Sequence, residues 1–290
     1  MFSKNNLKYI LILAIGFFWC SSLYLTQEQH LTSYASIEFV NIVELLFGSL
    51  SMALGILTFG LLYRKNKNVK NIFIIFMLLS LVSMISFFAT ENKYFMSVCL
   101  CLSCFFGTAG FGAGYHFSLL GSNVEKEYRG RVFAIGYGLG SIGTYLMILF
   151  PESFYSSIKA LIIYVPMLLL NLYLVINKTN LIQVKEEKQT SSFRNYFIRI
   201  SIIVLAMSLL SALSTDVIAI NTIDIAGGYG ATRLYYCLGL LVAGFLVDKK
   251  NSLFEILTIA SFVVSLLSII LLKGIIFVNF LSLYDKKYFL

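Results

Sequence analysis

Charge is what this chain has least of. Asp, Glu, Lys and Arg make up only 12% of its 290 residues, whereas a soluble globular domain carries about 25%. With 59% hydrophobic residues and a mean hydropathy of +0.85, the chain has too little polar surface to cover a body dissolved in water. Proline is nearly absent, two residues against 26 Phe and 18 Tyr, so the apolar runs continue unbroken. Short alternating segments, the mark of a membrane β-barrel, are missing as well. What remains is an all-α polytopic membrane protein, because a bilayer requires backbone polar groups to be paired inside helices.

Other absences exclude chemistry. The sequence contains no H-E-x-x-H, no G-x-S-x-G and no G-x-x-x-x-G-K-[ST], so neither zinc hydrolysis, nor an acyl-transfer serine, nor a phosphate loop is written in it. An enzyme is not expected, and neither is direct drive by ATP. Cys101-x-x-Cys104 has no second pair and no His cluster beside it. All five cysteines, with Cys20, Cys99 and Cys237, lie in apolar runs and read as small packing residues. No cofactor or metal is expected.

A helix needs about 20 apolar residues to span a bilayer. The runs that qualify are roughly 8–26, 39–63, 72–90, 94–121, 132–150, 158–176, 196–219, 232–247 and 253–272. A partial tenth starts near Gly274 and is interrupted by Asp285, Lys286 and Lys287. The first run follows Lys4 and Lys8 without an A-x-A cleavage site, so it reads as a retained span. With the N-terminus in the cytoplasm, most of the 22 basic residues fall on that side, in the loops around Arg64, Arg129, Lys185 and Lys249. The lysine and arginine bias of short loops sets orientation, which places the protein in the plasma (inner) membrane with a cytoplasmic N-terminus. The same placement accounts for the net charge of +8 without nucleic acid, since no basic stripe interleaved with aromatics lies in a soluble segment. The polar stretch 177–195 reads as a cytoplasmic linker. It separates a six-helix N-terminal bundle, 1–176, from an incomplete second bundle, 196–290.

Residues 136–143 read GYGLGSIG and contain G-x-G-x-x-G, a spelling shared with dinucleotide-binding loops. That function requires a preceding strand and an acidic residue about 20 positions on. Here an arginine-rich loop precedes, the glycines sit inside an apolar run, and the nearest acid, Glu152, lies past the end of the span beside Pro151. Helix packing is the better reading. Gly136, Gly140 and Gly143 share one helical face, and Gly110 and Gly114 repeat the small-xxx-small pattern in the preceding span. Such faces let backbones approach closely, whether for sliding or for static packing.

Between the eighth and ninth spans stands Gly244-Phe-Leu246-Val-Asp248-Lys249-Lys250. This resembles the G-x-L-x-D-[RK] loop signature of the major facilitator superfamily (MFS) of transporters. Gly60-Leu-Leu62-Tyr-Arg64-Lys65 occupies the equivalent place between the second and third spans, and the YRGR loop entering a glycine-rich fifth span is similar too. The resemblance implies an MFS-like fold of two six-helix bundles, against which this chain reads as C-terminally truncated. It implies that Asp248 faces the start of the fifth span near Arg129 and Arg131 and latches the two bundles at the cytoplasmic side. Arg64 stands where the family's first-bundle aspartate belongs, and the fourth span lacks the arginine of many proton-coupled drug exporters.

Ionisable groups at membrane depth are costly and mark cavities or ion paths. Glu44, His116 and Asp216 are the candidates here. Hydration at the outer interface for the two acids, and interhelical hydrogen bonding for His116, are the structural alternatives. Trp19, Tyr24 and Gln27 either line a pathway or belong to an interfacial belt. The function implied is secondary active transport of a small solute by alternating access, with a proton or another ion as coupling partner and the lipid bilayer as solvent. The alternative is a membrane sensor or scaffold, or a remnant of a transporter, that carries nothing.

Overall fold

The computed structural model describes residues 4–43, 49–65, 69–110, 113–179 and 229–249, together with 263 and 267. Glu44, Asp216, the span expected at 196–219, all of the span expected at 253–272 but residues 263 and 267, and most of the 177–195 linker lie outside the described residues. Where the chain is described it is helical, and no strand occurs among those residues. The helices are α1 (Lys4–Thr32), α2 (Ile37–Ile42), α3 (Ser49–Lys65), α4 (Val69–Phe88), α5 (Lys93–Gly110), α6 (Ala113–Asn123), α7 (Arg129–Ile148), α8 (Glu152–Tyr155), α9 (Leu161–Lys178) and α10 (Tyr229–Lys249). Short 3₁₀ turns at Lys126–Tyr128 and Ile158–Ala160 lead into α7 and α9. Described helical residues cover 93–110 and 113–123 of the span expected at 94–121, and 37–42 and 49–65 of that expected at 39–63.

Capping follows local chemistry. Asn92 accepts from the backbone N–H of Tyr94 and Phe95 at 3.0 and 3.3 Å, which satisfies two of the four donors that open α5. Among the described residues, four helices are long and apolar enough to cross a membrane: Asn6–Thr32, Lys70–Phe88, Arg129–Ile148 and Ile158–Asn177. Leu50–Leu62, Lys93–Thr108 and Cys237–Leu246 are shorter apolar stretches.

The side chains are arranged as an apolar solvent requires. Leu57, Leu61, Val82, Ile162 and Leu169 are each more than half exposed, while Ser22, Thr26, Gln27, Ser80, Ser103 and His116 have no exposure at all. In water the first set would cost free energy in proportion to its area. Against lipid it costs nothing, and the polar groups gain by turning inward to one another.

Two compact units divide the chain. Met1–Val184 with Arg233–Asp248 forms the first, and Lys185–Thr232 with Lys249–Leu290 the second. Within the first unit α1 is the axis, packed against α7, α9 and α5, while α5 also packs against α3 and α4. The core joins Trp19, Phe59, Phe73, Met77, Tyr115 and Tyr164. Phe73 lies over Tyr115 with ring centroids 4.1 Å apart.

The glycine face of α7 is where α1 comes closest. A Cβ on Gly140 would lie 2.6 Å from the Ala14 carbonyl oxygen, and one on Gly136 would lie 2.6 Å from Leu13 Cβ. Backbone meets backbone here, so no larger side chain fits. Gly60 in α3 is exposed and has nothing within 4 Å of the same position. Gly140→Val is therefore expected to destabilise the fold by about 1–3 kcal/mol through overpacking. Gly60→Ala should be neutral or gain about 0.4–1 kcal/mol by restricting the unfolded chain. Thermal unfolding of the detergent-solubilised protein measures both, and equal effects would show that the α1–α7 contact tolerates a side chain.

Candidate functional site

α7 begins without a capping side chain of its own, since Tyr128 at the N-cap makes no such bond. Its first N–H groups are nevertheless paired. Asp248, near the end of α10, takes a hydrogen bond from the Gly130 N–H at 2.7 Å and another from the Arg131 N–H at 2.9 Å. Arg131 Nε donates to the same carboxylate at 2.8 Å. The carboxylate thus caps α7 from a distant part of the sequence and meets the positive end of its dipole. At the C-terminal end of its own helix the same charge is unfavourable, so the partner helix is what stabilises it. The Asp248 side chain is only 2% exposed and that of Arg131 26%. Three charge-assisted hydrogen bonds, two of them from backbone N–H groups, offset the cost of burying this carboxylate.

Glycine makes the approach possible. A Cβ on Gly130 would sit 2.6 Å from Asp248 Oδ1 and 2.7 Å from the Gly244 carbonyl oxygen. Gly244 of the loop signature therefore packs directly on α7 one turn before the aspartate. The Arg131 guanidinium also lies over the Tyr128 ring at 4.7 Å and donates to the Glu127 carbonyl at 2.9 Å.

The other sequence candidates are distributed differently. Arg129 turns away from Asp248 and donates to the Val124 and Gly121 carbonyls at 2.9 and 2.8 Å, closing the C-terminal end of α6 with a positive charge. Lys249 is exposed. An added Cβ at Gly60 would meet nothing within 4 Å among the described residues, Arg64 lies in α3, Gly110 is the last described residue of α5, and Gly114 lies in α6. Gly136, Gly140 and Gly143 line the contact with α1. His116 is buried between α6 and α7, its Nδ1 3.1 Å from the Tyr137 hydroxyl. Tyr137 in turn stacks on Phe133 with centroids 4.1 Å apart.

Sequence reasoning missed Gly130, whose place beside the aspartate is hinted at only by its position inside the YRGR loop. It also missed a polar seam along α1. Ser21 and Ser22 bond to Thr144 of α7, Thr26 meets the Tyr164 hydroxyl of α9 at 2.6 Å, and Gln27 accepts from Ser103 of α5 at 2.8 Å. The signal was present as small polar residues spaced through an otherwise apolar run. Trp19 has no exposure and lies edge-on to Tyr164, with centroids 5.7 Å apart. That is an interior position rather than a belt. No protein-family model, curated protein or solved structure matches the chain.

Asp248→Asn is expected to cost about 2–3 kcal/mol, since a charged acceptor of several bonds is lost. Arg131→Ala should cost less, about 1 kcal/mol, because both backbone donors remain. In a double-mutant cycle the pair should couple by at least about 0.5 kcal/mol. Additive unfolding free energies would mean that the two side chains act separately.

Proposed function

We propose that the chain is a multi-span transporter of the facilitator type, one that moves a small solute across the plasma membrane by alternating access. The observation that carries this reading is the buried Asp248 carboxylate, held by the first N–H groups of α7 and by Arg131. It joins helices more than a hundred residues apart in sequence, at the place where the loop resembles the facilitator signature. A clasp made of one carboxylate and a helix terminus is reversible. It can hold one side of a carrier shut and be released as the other side closes. The proposed layout keeps the nine spans and the partial tenth read from the sequence, with repeated bundles rocking around a central site. Basic loops face the cytoplasm, and a proton or another ion supplies the drive.

A second reading has its own observation. At Gly60, the counterpart of Gly244 in the first half, an added Cβ would meet nothing within 4 Å among the described residues, whereas Gly244 is packed on Gly130. Arg64 follows it in place of an aspartate. One half of the expected pair of clasps is therefore unmatched among the described residues, which favours a membrane scaffold or sensor that no longer cycles.

Reconstituted vesicles separate the two. Saturable, gradient-dependent flux from a panel of labelled sugars, amino acids and organic acids is expected, falling at least tenfold on Asp248→Asn. Vesicles that bind the same solutes without moving them would leave the scaffold. For orientation, protease added to right-side-out vesicles should spare the 177–195 segment and protease added to inverted ones should cut it. The opposite pattern would reverse the proposed topology.

A further inference from the structure

Between α1, α3 and α5 lies a partly enclosed recess of about 20 Å³, lined by Gln27, Trp19, Met52, Ser103, Thr108 and their neighbours. A space of that size holds one water or one small functional group, provided polar partners are at hand. Gln27 is the polar group that has something to offer. Its side chain is fully buried, its Oε1 accepts from Ser103 Oγ at 2.8 Å, and its Nε2 has no partner among the described residues. An unpaired buried amide costs about 1–3 kcal/mol, so the site favours an occupant that can complete the pairing. Ser103 does not depend on this amide, because its hydroxyl also reaches the Leu100 carbonyl at 2.9 Å.

Among the described residues that line it, the recess carries no carboxylate, lysine, arginine or histidine. A charged group placed there would be desolvated without a counter-charge, at a cost far above that of a neutral one. An amide both donates and accepts, and so do a hydroxyl and a primary amide.

We propose that Gln27 forms a binding subsite for the hydroxyl or amide head of a small uncharged solute, with the body of the solute lying outside the recess. This rests on the transporter reading and names its substrate class. The site also contains its own reporter, since Trp19 lines it and is the only tryptophan in the chain.

Trp19 emission of the detergent-solubilised full chain is therefore titrated with glycerol, acetamide and D-glucose, and with acetate and choline as charged probes. At least one uncharged probe should shift the emission saturably. Its half-saturation concentration should rise roughly tenfold in Gln27→Leu, the change expected from one lost hydrogen bond. Gln27→Met serves as the second variant should leucine fold poorly. A response to the charged probes alone, no response to any probe, or titrations unchanged by both variants would overturn the proposal; the silent case marks the recess as the seat of a structural water only. Because binding is read without flux, a saturable Gln27-dependent response in vesicles that transport nothing would retain the subsite and refute the carrier.

Discussion

The fold depends on polar groups finding one another inside a body whose outside is apolar. Leucine and isoleucine at the surface gain nothing by being buried when the surroundings are as apolar as they are. What holds neighbouring helices together is therefore close backbone approach and interior hydrogen bonding. Both converge on α1. Its serines and threonine bond to α7 and α9, its glutamine to α5, and its backbone lies against the glycines of α7. Asn171 of α9 adds a bond to the Ile12 carbonyl at 3.0 Å, again on α1.

The Asp248 clasp obeys the same rule with a charge in place of a hydroxyl. Two helices leave each other's unfavourable ends unsatisfied, α7 with bare N–H groups and α10 with an acid at its negative terminus. Each supplies what the other lacks. Arg131 adds a counter-charge, while Arg129 performs the corresponding service at the end of α6. The basic loop between α6 and α7 is thus divided into two tasks that its composition alone does not distinguish.

The helical class was legible in the sequence because composition and run length are bulk properties, and the starts of α4, α5 and α7 fall within about three residues of the expected spans. The pairing of Asp248 with the start of α7 was legible only through a resemblance in the loop. The actual donors, two backbone N–H groups opened up by Gly130, are set by tertiary approach and leave no mark on residue type. The α1 seam was hidden for a related reason. Serine and threonine are common in membrane helices, and which of them face inward depends on neighbours that a single run does not specify. Gln27 was noticed, but its partner lies 76 positions away.

α7 carries small residues on more than one face. Gly136, Gly140 and Gly143 meet α1, while Gly130 and Gly138 meet α10. Between those two neighbours stands little more than the thickness of a polypeptide backbone. Side chains act as a soft layer in most helix contacts, since they absorb small displacements by changing rotamer. Here that cushioning is thin. α7 is thus a thin spacer between α10 and α1, and α1 is the helix that carries Trp19 and Gln27.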